Sequence, residues 1–392
     1  MALGKTPEQH IAVFGESGSG KTVLLSSFYG ATQEPDFIKN NQLNVVAEST
    51  SKGSRLMQNY LGMKRSASLP PADHFLATSY SFLVRVKEQP GAESHGKQSP
   101  DALRLVWHDY PGEWFHDDVS GPTEAQRRVD AFRSLLGSDV ALLLVDGQML
   151  SDHAGEEARY LKSLFTNVKN SLLLLKDDLL PDGKPLMKFP RIWVLALSKA
   201  DLLPDMDVYG FRDVLLESTG ADIAELRDVI GGFVESDDAL SVGEDFVLLS
   251  SAKFDEGRIE VSQRIGLDLI LPLAAMLPIM RHLRWAEAGK VARKVAIDLL
   301  SGAEILTEVL GTVANFAAVL MGSKNRALGI AGLALSRIGP GLSEAARLAG
   351  DKLKNADATA ASKKSSLAGV MVRFREALDQ GEEERILLRS QL

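Results

Sequence analysis

The stretch HIAVFGESGSGKTVLLSSF, residues 10–28, decides the fold. Its first residues, HIAVF, form a short apolar run with strand character, and the run stops at a Gly-rich turn. Beyond the turn, KTVLLSSFYG has helical spacing. The turn fits G-x-x-x-x-G-K-[ST], with Gly15, Gly20, Lys21 and Thr22 at the fixed positions. Gly15 closes the strand, and Gly18 and Gly20 allow the backbone to curl so that successive N–H groups face one anion. Lys21 opens the helix, so its ammonium joins the positive end of the helix dipole at a bound phosphate. Thr22 offers a hydroxyl to a magnesium ion. Gly15, Ser17, Gly18, Ser19, Gly20, Lys21, Thr22 and Val23 are therefore the candidate phosphate-binding residues.

Outward from this stretch, apolar runs close one after another on polar clusters: LRLVWHDY (103–110), DVALLLVDG (139–147), RIWVLALSKAD (191–201) and EDFVLLSSAK (244–253). Runs of this kind are strands buried on both faces of a parallel sheet. SYSFLVRVKE (79–88) alternates with period two and reads as a half-buried strand. Helical stretches, notably 156–179 and 209–219, lie between them. The expected fold class is α/β, a doubly wound and mainly parallel sheet, whose ligands sit beyond the carboxyl ends of the strands.

Two of the polar clusters carry further chemistry. Asp109 closes its strand and can hold a metal ion through water, while Gly112, three positions on, completes D-x-x-G and offers an N–H to a γ-phosphate. In LSKAD, the Asp201 carboxylate can accept the paired N1–H and 2-amino donors of guanine. Adenine offers no such pair, and the unsatisfied carboxylate would cost ~1–3 kcal/mol. The Lys199 stem can lie along a base plane. Ser251, Ala252 and Lys253 end the last strand, where the Ala252 N–H can meet guanine O6.

With GESGSGKT, DYPG, SKAD and SAK in this order, the chain resembles TRAFAC-class P-loop GTPases with a Ras-like G domain, over about Gln9 to Lys253. DYPGEW also resembles YcjX-like P-loop proteins. The resemblance implies a GTP/GDP site with Mg²⁺, slow hydrolysis and conformational switching. By position it gives Lys21, Gly112 and Glu113 catalytic roles, Thr22, Thr78 and Asp109 the metal, and Lys199 and Asp201 the base. Two departures stand out. The base motif begins with Ser198 where Asn or Thr is usual. Glu113 stands where Ras-like members carry Gln, and an ionised Glu can accept hydrogen bonds but not donate them. Thr78 is preferred to Thr50 as the switch threonine because it lies just before a strand.

His108 and His116, with Asp117 and Asp118 nearby, lack the spacing of a transition-metal site and read as polar loop residues. The chain has 392 residues, a net charge of −8 and no cysteine, which excludes disulfides, thiolate metal sites and cysteine nucleophiles. From Arg281 to Leu392 it holds 17 Lys/Arg against 12 Asp/Glu, leaving 27 against 40 before that point. The N-terminus shows no apolar signal region, so a cytoplasmic location is expected.

The expected organisation is a P-loop domain over 1–265, with an insertion or mobile loop at about 31–78, then an α-helical domain over 266–392. A linker is expected near 354–366, and a last helix broken near Gly381. The apolar runs at 309–322 and 327–342 suit helices buried against each other or against the G domain. A membrane-inserting hairpin and a partner interface stay open as alternatives, because an uncharged run this short falls below the ~20 residues of a bilayer span. A protein effector read through the helical domain, a peripheral membrane contact and a homo-oligomer are the partners kept in view; no nucleic acid is expected. Two functions compete with the soluble switch: a self-assembling, membrane-associated (dynamin-like) GTPase, and a nucleotide-stabilised scaffold with negligible hydrolysis.

Overall fold

The computed structural model describes residues 6, 8–40, 43–70, 78–87, 101–110, 112, 121–180, 183–186, 189–235, 239–255, 257–288 and 358–390. The strands are β1 (Glu8–Phe14), β2 (Leu43–Ala47), β3 (Thr78–Val86), β4 (Asp101–Asp109), β5 (Val140–Asp146), β6 (Ile192–Ser198), β7 (Ser241–Leu248), β8 (Lys253–Asp255), β9 (Arg258–Glu260) and β10 (Leu387–Leu388). Eight of them form one sheet in the order β10-β7-β6-β5-β1-β4-β3-β2. From β7 to β4 the neighbours are parallel, and β3, β2 and β10 join antiparallel at the two sides. The expected doubly wound, mainly parallel α/β sheet is the observed architecture.

The apolar runs are where burial on both faces demands them. All seven residues of β5 and of β6 are buried. One face is covered by α1 (Lys21–Thr32), α3 (Thr50–Ser66), α9 (Ile270–Ala275), α10 (Leu277–Glu287) and α11 (Ala358–Glu383), which enclose Val13, Leu25, Phe82, Trp107 and Val194. The other face carries α4 (Pro122–Leu135), α5 (Gly147–Asp152), α6 (Glu157–Leu174), α7 (Lys176–Leu179) and α8 (Val208–Gly231), packed on Phe14, Leu143, Trp193 and Leu195.

Two expectations about organisation change. The described residues within 31–78 include α2 (Pro35–Asn40), β2 and α3, and β2 extends the sheet past β3. β3 is therefore the third strand. The division at 265/266 does not separate two cores, because α9, α10, α11 and β10 belong to the layer that covers the sheet. Leu271, Leu273, Val370, Met371, Phe374, Leu378 and Leu387 are buried in the same cluster as Val13. The helical periodicity of 266–288 and 367–383 is real, but the apolar stripe faces the sheet rather than a second helical domain. Of the linker expected at 354–366, residues 358–366 are helical, and α11 runs unbroken through Gly381. The apolar runs at 309–322 and 327–342 lie outside the described residues. Among the described residues no helix is long and apolar enough to cross a membrane.

Candidate functional site

The chain passes from β4, on one side of β1, to β5 on the other, so the turn after β1 sits at the point where the strand order reverses. That turn is the Gly-rich loop. Gly18 and Gly20 have φ of 79° and 88°, left-handed values that a side chain would strain, and Gly20 is the N-cap of α1. The Lys21 ammonium folds back under the loop and donates to the carbonyls of Gly15 at 2.8 Å and Glu16 at 2.9 Å. Ser19 is buried, and its Oγ has no hydrogen-bond partner among the described residues.

Tyr110, from the D-x-x-G segment, props the loop from below. Its Oη accepts a 3.0 Å hydrogen bond from the Gly15 N–H, and its ring lies 5.6 Å from Lys21 Nζ. Burial first, with the nearby Asp109 and Glu16 carboxylates adding to it, holds the phenol proton on. Gly112 is buried against the same loop. A Cβ there would stand 2.3 Å from the Ser17 nitrogen and 2.4 Å from the Glu16 carbonyl carbon, so only glycine fits. The D-x-x-G segment and the phosphate loop are thus in direct backbone contact.

Thr78 and Asp109 are opposite one another in the β3–β4 register. Along β3, Tyr80, Phe82 and Val84 point to the α1 face, and along β4 so do Leu103, Leu105 and Trp107. Alternation therefore sends Thr78 and Asp109 to the α1 face, where Thr22 lies in the first helical turn. Two hydroxyls and a carboxylate are hard oxygen donors of the type Mg²⁺ takes. Thr50, the rival switch threonine, opens α3, whose Lys52 reaches the Ser79 carbonyl of β3 at 2.6 Å.

The turns after β6 and β7 line one cavity with the Gly-rich loop. Lys199 adopts φ 52° between β6 and a short 3₁₀ turn, and its ammonium pairs with Asp146 at 2.7 Å. Asp146 ends β5, caps α5 through the Gln148 N–H at 2.9 Å, and itself donates its backbone N–H to the Tyr160 hydroxyl at 2.8 Å. Asp201 accepts from Ser250 Oγ at 2.6 Å through one oxygen, and from the Phe254 N–H at 3.3 Å through the other. Ser198 turns its hydroxyl to the Val145 carbonyl at 3.2 Å.

A cavity of about 290 Å³ joins the two halves. Gly18, Ser19, Gly20 and Val23 line one end, Ser198, Lys199, Ser250 and Ser251 the other, and Leu24, Leu202, Leu249 and Phe254 supply apolar wall between. Its volume is at the small end of the ~300–1,000 Å³ typical of ligand pockets. Asp201, Ala252 and Lys253 do not line it, nor do Gly15, Ser17, Lys21 and Thr22. Ala252 is buried against Tyr60 and Met63, and Lys253 opens β8 with Nζ 3.8 Å from Asp255. Glu113, His116, Asp117 and Asp118 lie outside the described residues. His108 is no metal ligand in this arrangement: it stacks on His10, Nε2 to Nδ1 at 2.9 Å, with Ser134 Oγ at 3.2 Å from its other nitrogen.

Sequence reading missed Tyr110, Asp146 and Gln148 as parts of the site. Asp146 had a signal, since it ends the apolar run beside the one carrying Lys199. Tyr110 had none, because its contact with Gly15 spans 95 residues.

No known protein family and no curated protein matches the sequence. Among solved structures, the signal recognition particle receptor SRb-GTP/SRX complex from Chaetomium thermophilum is similar at 17% identity and a TM-score of 0.32, over 64% of this chain and 94% of that one. The GTP-bound Ski7 GTPase-like domain of S. cerevisiae follows at 13% identity and 0.28, over 62% and 43%. The elongation factor SelB of Methanococcus maripaludis, in complex with the GTP analogue GppNHp, follows at 10% and 0.20, over 64% and 31%. At such TM-scores these likenesses decide nothing about chemistry.

Proposed function

We propose that the chain binds GTP and hydrolyses it slowly to GDP, as a nucleotide-dependent switch. The observation that carries this reading is the single cavity running from the phosphate loop to Lys199 and the Ser250–Ser251 turn beside Asp201. Backbone N–H groups and Lys21 would bind the phosphates. The Asp201 carboxylate, already oriented by Ser250 and Phe254, keeps lone pairs for the two guanine donors. The Lys199 stem would lie on the base, with its ammonium anchored by Asp146. Thr22, Thr78 and Asp109 would hold Mg²⁺, which when bound offsets charge on the β- and γ-phosphates.

The switch element is the contact between Gly112 and the phosphate loop. A γ-phosphate contacting the Gly112 N–H would pull on the segment that follows β4, and α11 packs along β4 and β3. The helical layer thus takes the effector role expected of a separate domain. An acceptor-only Glu113 next to the reacting phosphate would make turnover slow.

Identification of the nucleotide that co-purifies with the protein tests base choice and turnover together. GDP or GTP supports the reading, and an adenine nucleotide refutes it. Single-turnover phosphate release separates slow hydrolysis from none, and Glu113→Gln should raise the rate if position 113 faces the attacking water.

A further inference from the structure

The main-chain ladder between β1 and β4 ends at the Ala12–His108 pair. Beyond it a side chain takes the place of a rung: Tyr110 Oη accepts the Gly15 N–H at 3.0 Å. The Gly15 carbonyl in turn accepts from the Lys21 ammonium at 2.8 Å, and that ammonium lies 5.6 Å from the Tyr110 ring. Tyr110 thus meets the start of the phosphate loop through its oxygen and the phosphate-binding lysine through its π face.

The side chain has no freedom to swing aside. Tyr110 is 2% exposed, with Phe14 of β1 and Phe132 of α4 against its ring at centroid distances of 5.6 and 5.9 Å. Two residues on, Gly112 is packed against the Glu16 and Ser17 backbone. A close-packed interior passes small displacements on rather than absorbing them. Any shift of the segment from Asp109 to Gly112 is therefore felt at Gly15 as a change in one hydrogen bond.

We propose that Tyr110 is a positioning residue that couples a bound γ-phosphate to the phosphate loop, its phenol oxygen holding Gly15, and through Gly15 the Lys21 ammonium, in the triphosphate-binding arrangement. On the GTP reading of the site, on which this coupling rests, a γ-phosphate that draws in the Gly112 N–H keeps the Tyr110–Gly15 bond closed, and its loss lets the bond open. The oxygen is the working atom. Phenylalanine at this position would fill the same space and keep a ring face near Lys21, but would leave the Gly15 N–H without this acceptor. A bond made equally in every nucleotide state cancels from a comparison of affinities, so what Tyr110→Phe reveals is the difference between the GTP and GDP states.

The test measures, on the full chain with Mg²⁺, the affinities of GDP and of the non-hydrolysable analogue GppNHp for the wild type and Tyr110→Phe. The expected result is a fall of about 5-fold in the preference for GppNHp over GDP, as the loss of one hydrogen bond worth about 1 kcal/mol gives. A side chain that only packs would lower the melting temperature and leave that preference where it was, and an unchanged preference overturns the coupling. If the Phe variant does not fold, amide exchange in the wild type carries the test. The Gly15 N–H should exchange several-fold more slowly with GppNHp than with GDP, and equal rates overturn the coupling. A wild type that binds neither nucleotide overturns the GTP reading itself, whereas normal binding with an unmoved preference overturns the coupling alone.

Discussion

Ser250 Oγ lies 2.6 Å from Asp201 Oδ1 and 2.7 Å from the Ala252 carbonyl, so its single proton is shared between the Asp201 carboxylate and the loop after β7. The bond fixes which way the carboxylate faces. Ser250→Ala should weaken GTP by roughly 5- to 10-fold, the worth of one hydrogen bond at about 1 kcal/mol, with little change in ATP affinity. Asp201→Asn should do more, reversing the acceptor pattern and favouring xanthosine triphosphate. Competition against a fluorescent guanine nucleotide measures both. Unchanged GTP affinity in Asp201→Asn would remove Asp201 from the base site.

Gly112 is pressed against the Glu16–Ser17 backbone, and a methyl group has no room there. Gly112→Ala must displace one segment or the other, at about 1–3 kcal/mol for overpacking. The expected outcome is a lower melting temperature together with a faster nucleotide off-rate, because the phosphate loop moves with it. A variant that loses stability and keeps its off-rate would leave Gly112 as packing alone.

The C-terminal helix is part of the sheet's core. Val370, Met371, Phe374, Leu378 and Leu387 are each at most 3% exposed, and each is worth about 1.5–3 kcal/mol on burial. Together that rivals the ~5–15 kcal/mol stability of a whole domain. Deleting residues 358–392 should therefore prevent folding, and Phe374→Ala alone should cost about 3–5 kcal/mol in urea unfolding. A truncated 1–265 fragment that folds cooperatively would restore the two-domain reading.

Two buried histidines make the fold sensitive to acid. Burial, then the His10 charge, lowers His108 to about 4. Burial, then Arg191 and Arg281, lowers His282 to about 3. Unfolded, both titrate near 6.5, so below that the unfolded chain binds more protons and stability falls with pH. The contribution is complete above about pH 6.5 and declines toward pH 4 and below. Urea midpoints at pH 7 and pH 5 should differ by more in the wild type than in His108→Asn. Equal differences would show that His108 titrates alike in the folded and the unfolded chain.

The sequence announced the sheet and the phosphate loop because each is local. Ile11 to Thr22 contains a strand, a turn and a helix start, and the apolar run of β6 needs no partner to be recognised. What it concealed is non-local. Leu43 to Ala47 is five residues long, and only its pairing with Phe82 to Val86 makes it a strand. Phe374 shows a helical stripe without saying that the stripe meets Trp107's side of the sheet. The same limit applied in the site: Lys199 and Asp201 were legible from a tetrapeptide, whereas Asp146 and Tyr110, which hold Lys199 and Gly15, act across 53 and 95 residues.

The central claim is that Lys21 and Asp201 serve the two ends of one guanine nucleotide. Equilibrium titration of the wild type, Lys21→Ala and Asp201→Asn with GTP, ATP and xanthosine triphosphate in the presence of Mg²⁺ tests it most directly. The account predicts that the wild type prefers GTP over ATP by at least ~5-fold, as ~1–3 kcal/mol of unsatisfied carboxylate requires. It predicts that Lys21→Ala loses all three nucleotides and that Asp201→Asn transfers the preference to the xanthine base. A wild type that binds ATP as tightly as GTP, or a Lys21→Ala protein that still binds GTP normally, would contradict it.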